Sequence, residues 1–75
     1  MNIPTVVVVD KEILGGIPVF ARTRVPVQTL IDYLEKGYPL EEFLDDFPTV
    51  TIEQAQAVLE QMKQLLLESA YARAA

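Results

Sequence analysis

Two arginines stand close together in the N-terminal third of the chain, Arg22 and Arg24. In an extended segment their i, i+2 spacing puts both guanidinium groups on one side, where they can bind phosphates or a guanine edge. The competing interpretation of Arg24 is an ion pair with a helix carboxylate, such as Asp32 or Asp45. For Arg24 we favour the ion pair.

A second set of polar residues stands at the start of the last predicted helix. If that helix enters the major groove of DNA, four of its side chains come near base edges: Thr51, Glu53, Gln54 and Gln56. Glutamine can pair with adenine, and glutamate can accept a hydrogen bond from cytosine. Ordinary exposure to solvent is the alternative for these residues, and we favour it slightly.

The residue inventory argues against catalysis. The chain has no His and no Cys, and it lacks a glycine-rich phosphate loop, so general-base, thiol and triad chemistry lack their usual groups. Adjacent carboxylates such as Asp45 and Asp46 point about 100° apart on a helix and do not form an acid–base pair. We therefore predict a protein that is not an enzyme and that needs neither a cofactor nor a metal.

Charge is divided unevenly along the chain. Residues 1–26 carry three cations against two carboxylates, a net +1, whereas residues 27–75 carry nine carboxylates against three cations, a net −6. Any nucleic acid must therefore approach the N-terminal third. The acidic remainder suits a basic protein partner.

The elements that position these residues follow from hydrophobic patterning and turn signals. Val6–Val9 and Ile17–Ala21 predict two strands of a hairpin, with the chain turning at 13–16. A first helix begins at Pro26, with Thr23 as a candidate cap, and ends at Gly37. A second short helix runs from Leu40 to Phe47. A third begins at a capping box formed by Thr51 and Gln54 and continues to about Ser69 or beyond.

These elements make one small α+β domain over residues 1–75, which is mainly α-helical. A β-hairpin arm occupies 1–25, and a three-helix, helix-turn-helix-like unit occupies 26–75. A chain of 75 residues with no cysteine and 51% apolar residues has a marginal core of its own, so we expect a homodimer. The candidate residues for the dimer or partner contact are Val6, Val8, Leu65, Leu66 and Tyr71. With no membrane span and no secretory signal, we expect a cytoplasmic protein.

Four segments together resemble domain-of-unknown-function family 433. They are Gly16-Ile17-Pro18-Val19, Arg22-Thr23-Arg24-Val25-Pro26-Val27, the Leu-rich stretch 30–37 that ends in glycine, and Phe47-Pro48-Thr49-Val50-Thr51. The similarity extends from about Asp10 to Leu59. It implies a homeodomain-like trihelical fold and a neighbouring gene for a PIN-like nuclease, and hence an antitoxin of a type II toxin–antitoxin module.

One residue departs from the family pattern. Arg22 stands where the family has a glycine, so either the backbone never needs a positive φ at this point or this protein bends differently there. Because no structural bond shared by the family depends on position 22, we favour a nucleic-acid contact for Arg22.

The leading functional hypothesis is a homodimeric antitoxin that binds and neutralises a PIN-like nuclease and also its own operator DNA. A stand-alone DNA-binding transcriptional regulator and a plain dimerisation module are the alternatives.

Overall fold

The structure, a computed structural model, describes residues 6–74. In chain order its elements are β1 (Val7–Val8), a 3-10 turn (Leu14–Gly16), β2 (Val19–Phe20), α1 (Val27–Glu35), α2 (Leu40–Asp46) and α3 (Ile52–Ala74). The expected class, a mainly helical α+β fold with an N-terminal hairpin, is confirmed.

The hairpin is shorter than the sequence predicts. β1 and β2 are antiparallel, with Val7 opposite Phe20 and Val8 opposite Val19, so each strand has two residues where four and five were expected. Pro18 has no N–H to extend the ladder, and Ala21 already belongs to the next turn. Between the strands, positive φ angles at three successive residues reverse the chain: Leu14, Gly15 and Gly16.

A proline precedes each of the first two helices, and a glycine follows the first. Pro26 and Pro39 have extended φ and ψ and immediately precede α1 and α2, which suits a residue without an N–H. Gly37 follows α1 with φ of +85°, the left-handed conformation that the sequence predicts. Thr23 was expected to cap α1, and this expectation is wrong because its hydroxyl donates to the Phe20 carbonyl at 2.9 Å.

The core lies where the hairpin, α1, α2 and the first turns of α3 meet. Phe20, Leu30 and Phe43 are fully buried, and the rings of Phe20 and Phe43 pack with centroids 6.0 Å apart. Val58 is buried in the same cluster, whereas Leu44 is only partly buried against it.

Only the first third of α3 belongs to this core. Every residue of Glu60–Ala74 is exposed, so the helix projects beyond the rest of the chain. The radius of gyration is 13.6 Å, against about 11 Å for a compact chain of this length. Within residues 6–74, no helix combines the length and the apolar character needed to cross a bilayer.

Candidate binding surfaces

The two N-terminal arginines lie on a tight turn over residues 21–24, which we call the arginine turn. Backbone bonds hold both of its sides: the Ala21 N–H donates to the Val6 carbonyl at 2.9 Å, and the Thr23 N–H donates to the Phe20 carbonyl at 3.1 Å. The Thr23 hydroxyl also accepts the N–H of Val25 at 3.0 Å. The turn is therefore fixed by its own chain, with Arg22 and Arg24 exposed on it.

Arg22 adopts a φ of +62°. The sequence left open whether this position needs a left-handed backbone, and the structure answers that it does. The bend that a glycine would make without strain is kept, and the arginine adopts a conformation unfavourable for a residue with a Cβ.

The extended segment assumed for the arginine pair is therefore absent, because a turn occupies these positions. The two side chains nevertheless border one open groove of about 580 Å³, whose lining residues are Ile13, Arg22, Thr23, Arg24, Val25 and Thr49. None of these lining residues is acidic.

The ion pair favoured for Arg24 is not formed. Among residues 6–74 the single ion pair joins Lys63 Nζ and Glu60 Oε1 at 3.1 Å. Asp32 instead accepts a hydrogen bond from the Gln28 amide at 2.9 Å. Within the same residues, no hydrogen bond uses the side chain of Arg22 or Arg24, so both guanidinium groups face solvent.

Gln54 has an internal role that excludes it from base recognition in this conformation. The predicted capping box is confirmed: the Gln54 N–H donates to Thr51 Oγ1 at 3.1 Å, and the Thr51 N–H donates to Gln54 Oε1 at 3.0 Å. The Gln54 side-chain amide also donates to the Ala21 carbonyl at 3.0 Å, and the residue is only 8% exposed. A base edge cannot reach this amide unless these bonds break, so we withdraw Gln54 as a candidate DNA contact.

The other polar residues at the start of α3 are accessible. Glu53 and Gln56 are exposed and stay candidates for an external contact. Thr51 is exposed too, although its hydroxyl is engaged by the cap. Gln54 thus ties the start of α3 to the arginine turn, a link that sequence reasoning missed because its two ends are 33 residues apart.

The C-terminal part of α3 presents an apolar surface, which we call the distal α3 face and define by Met62, Leu65 and Leu66. Leu65 and Leu66 are 69% and 70% exposed. Tyr71 is 72% exposed, but it lies about 180° around the helix from Met62 and so outside this face. Met62, Leu65 and Leu66 continue the stripe whose earlier members, such as Ala55 and Val58, are buried in the core. The apolar stripe of α3 therefore extends beyond the part of the helix that packs within this chain.

The other two residues predicted for the dimer contact are placed differently. Val6 is partly buried and packs against the core of its own chain, and its carbonyl is bonded to Ala21. Val8 is partly buried in β1, and Val9 is 64% exposed. Val6 and Val8 belong to the N-terminal hairpin region, whereas the distal α3 face lies on the last helix.

An aromatic cluster joins α1 to α2, and sequence reasoning missed it as well. The ring of Tyr33 lies 5.5 Å from Tyr38 and 5.8 Å from Phe47, and its hydroxyl donates to Asp46 Oδ2 at 2.6 Å. This hydrogen bond, followed by burial and the carboxylate charge, raises the pKa of Tyr33 to about 12. Asp46 is exposed to solvent, and its carboxylate also links α1 to α2 through this hydrogen bond.

Net charge around this cluster is strongly negative. Residues 27–46 contain six carboxylates and one lysine, a net −5. No group of three acidic side chains within residues 6–74 is arranged to hold a metal ion.

Comparisons with known proteins agree with the resemblance seen in the motifs. No curated protein is similar enough to count as a match. A solved structure described as a DUF433 member protein from Anabaena variabilis ATCC 29413 superposes with a TM-score of 0.70 at 26% identity, over 96% of this chain and 71% of that one. The family model described as "Protein of unknown function (DUF433)" matches residues 7–60. Because that match spans most of the chain and includes the arginine turn and the capping box, the protein belongs to the DUF433 family.

Proposed function

We propose that the protein is an antitoxin that binds a basic nuclease through the distal α3 face. The observation that carries this proposal is the exposure of Leu65 and Leu66 on the part of α3 that leaves the core. Soluble chains seldom expose neighbouring large apolar side chains without a partner that covers them.

The geometry of the helix fits a known mode of recognition. Residues 60–74 form 15 residues of α3, about 22 Å of helix at 1.5 Å per residue. A helix of this length that lacks tertiary packing is marginal in water. Docking its apolar stripe into a groove on another protein would supply the missing packing.

Charge favours a basic partner. The net −5 of residues 27–46 would attract a protein with a positive nucleic-acid channel and repel acidic ones. Neutralisation would then follow from occlusion, because an acidic chain bound at the channel blocks the approach of the nuclease's own substrate. The motif resemblance, which implies a PIN-like nuclease encoded beside the gene, supplies the class of partner.

The test is co-expression with the nuclease encoded beside the gene. Leu65→Glu/Leu66→Glu should abolish co-purification and rescue from the nuclease, because it buries charge in the interface. Gln56→Glu/Leu67→Glu is the matched control, since it adds the same charge to exposed positions on the opposite side of α3. Circular dichroism should show both variants folded, as all four positions are exposed. Unchanged binding by the leucine variant would refute the proposed interface.

A second copy of the chain is the alternative occupant of the same face. Sedimentation at several concentrations separates the two cases. A dimer that the leucine variant converts to a monomer, with no binding of the nuclease by either protein, would replace the antitoxin proposal with a dimerisation module. A dimer that persists in the variant would place self-association elsewhere and leave the distal α3 face free for the nuclease.

A further inference from the structure

We propose that the arginine turn is a binding site for the phosphodiester backbone of duplex DNA, separate from the distal α3 face. The helix-turn-helix interpretation places base contacts on the start of α3. In the structure two exposed arginines lie instead on the turn beside it, and the α3 residue best suited to read adenine, Gln54, is buried.

The turn is preorganised for an external contact. Hydrogen bonds fix the backbone on both sides of Arg22, and Gln54 holds the Ala21 carbonyl from α3. Ala21 and Val25 are buried, so the backbone that carries the two exposed arginines is anchored in the core. A ligand would have to order only the two side chains, which lowers the entropic cost of binding.

The turn imposes a strained left-handed conformation on Arg22, and this bend does not require an arginine side chain. At a φ of +62° glycine is the least strained residue and asparagine or aspartate the usual substitutes. The Arg22 side chain is exposed and contributes no ion pair or hydrogen bond among residues 6–74. Strained residues of this kind cluster at binding sites, and an arginine held outward offers a planar fork that fits a phosphate.

The lining and the open shape of the groove favour a nucleic-acid backbone over a small free anion. Two arginines and two threonines line it together with Ile13 and Val25, without a carboxylate. Arginine is a common phosphate contact in protein–DNA complexes, whereas the Thr23 hydroxyl already donates to the Phe20 carbonyl. A site for a small molecule encloses most of its ligand, whereas this groove is open and shallow. A polymer backbone that continues past the groove on both sides suits this shape better than a free anion.

The rest of the chain limits how DNA approaches. Residues 27–75 carry a net −6 and repel phosphate, so the duplex is confined to the N-terminal third. Binding should be weak, sensitive to salt and largely independent of sequence, because the contacts are to the backbone.

The experiment measures fluorescence anisotropy of a labelled duplex from the gene's own upstream region over a series of salt concentrations. A scrambled duplex, a single-stranded RNA and inorganic phosphate as competitor form the other arms. Arg22→Gly/Arg24→Gln is compared with Lys36→Gln/Arg73→Gln, which removes the same charge from exposed positions on other elements. Arg22→Gly alone should melt no lower than the parent, because glycine relieves the strain, so loss of binding cannot be ascribed to unfolding.

We expect the arginine variant to bind at least tenfold more weakly and its salt slope to fall by about 2, since each lost phosphate contact removes about 0.9. The control should retain most of the affinity. The proposal is overturned if the two variants bind alike, if the parent binds no duplex at low salt, if RNA binds more tightly than duplex, or if phosphate alone displaces the duplex at low millimolar concentration. Leu65→Glu/Leu66→Glu should leave DNA binding intact, which keeps this result distinct from failure of the antitoxin proposal.

Discussion

Replacing Gln54 by alanine removes the one side chain that links the start of α3 to the arginine turn. The Ala21 carbonyl would lose its donor at 3.0 Å, and because Ala21 is 6% exposed, water cannot easily replace that donor. An unsatisfied buried carbonyl costs about 1–3 kcal/mol. Loss of the reciprocal half of the capping box adds about 0.5 kcal/mol.

We therefore expect Gln54→Ala to lower the free energy of unfolding by about 2–3 kcal/mol, which corresponds to about 10–20 °C in Tm for a domain of this size. Thr51→Ala is the matched control. It removes the hydroxyl that accepts the Gln54 N–H but leaves the link to Ala21, so it should cost about 1 kcal/mol. Thermal and urea denaturation followed by circular dichroism would measure both.

Gln54→Glu separates the two functions of the side chain. The carboxylate can still accept the Thr51 N–H, and it stands favourably at a helix N-terminus, but only its protonated form can donate to the Ala21 carbonyl. The pKa of the introduced carboxyl should therefore be raised in the folded state, and the stability it contributes should be lost as pH rises. If Gln54→Ala unfolds at the same midpoint as Thr51→Ala, the link across the chain contributes nothing and the reasoning is refuted.

Three further outcomes follow from the core, the cap of α1 and the aromatic cluster. Phe43→Ala should cost about 3–5 kcal/mol in urea denaturation, because the side chain is fully buried and its removal leaves a cavity; a loss below 1 kcal/mol would contradict its place in the core. Gly37→Ala should cost about 1–2 kcal/mol by the same assay, since φ is +85° and nothing lies within 4 Å of an added Cβ, leaving backbone strain alone; an unchanged midpoint would count against that strain. Spectroscopic titration of the tyrosines should show Tyr33 ionising near pH 12, up from 10.0, so the unfolded chain ionises first and stability falls as pH rises between these values. Asp46→Asn should move this titration back toward 10.0, and an unmoved titration would show that the hydrogen bond is not its cause.

The local features of the fold were predictable, and the long-range ones were not. Thr51 and Gln54 predict a capping box because both partners lie within one turn of helix. The second bond of Gln54, to Ala21, depends on how the hairpin packs against α3, which spacing alone does not encode. The link between Tyr33 and Asp46 likewise requires the angle between α1 and α2.

The arginine turn shows the same division within a candidate site. The residue types and charge balance single out Arg22 and Arg24, and the family's glycine raises the question of a positive φ at position 22. Only the turn geometry answers that question, because the hydrogen bonds that impose it come from Val6, Phe20 and α3. For Thr23 the position before Pro26 predicts a helix cap, but its hydroxyl forms a hydrogen bond within the turn instead.

The projection of α3 divides a single helix into two parts with different local stability. Amide hydrogens near Val58 are protected by the core and should exchange with solvent only through global unfolding. Amide hydrogens beyond Glu60 take part in helical hydrogen bonds, but this part of the helix is exposed on all sides. At its start the side chains of Lys63 and Gln64 contact Glu60. These amide hydrogens should exchange progressively faster toward Ala74, and on heating the helical signal should begin to decline before the core melts. Whatever covers the distal α3 face would then be visible at single-residue resolution, as slowed exchange along the outer turns of the helix.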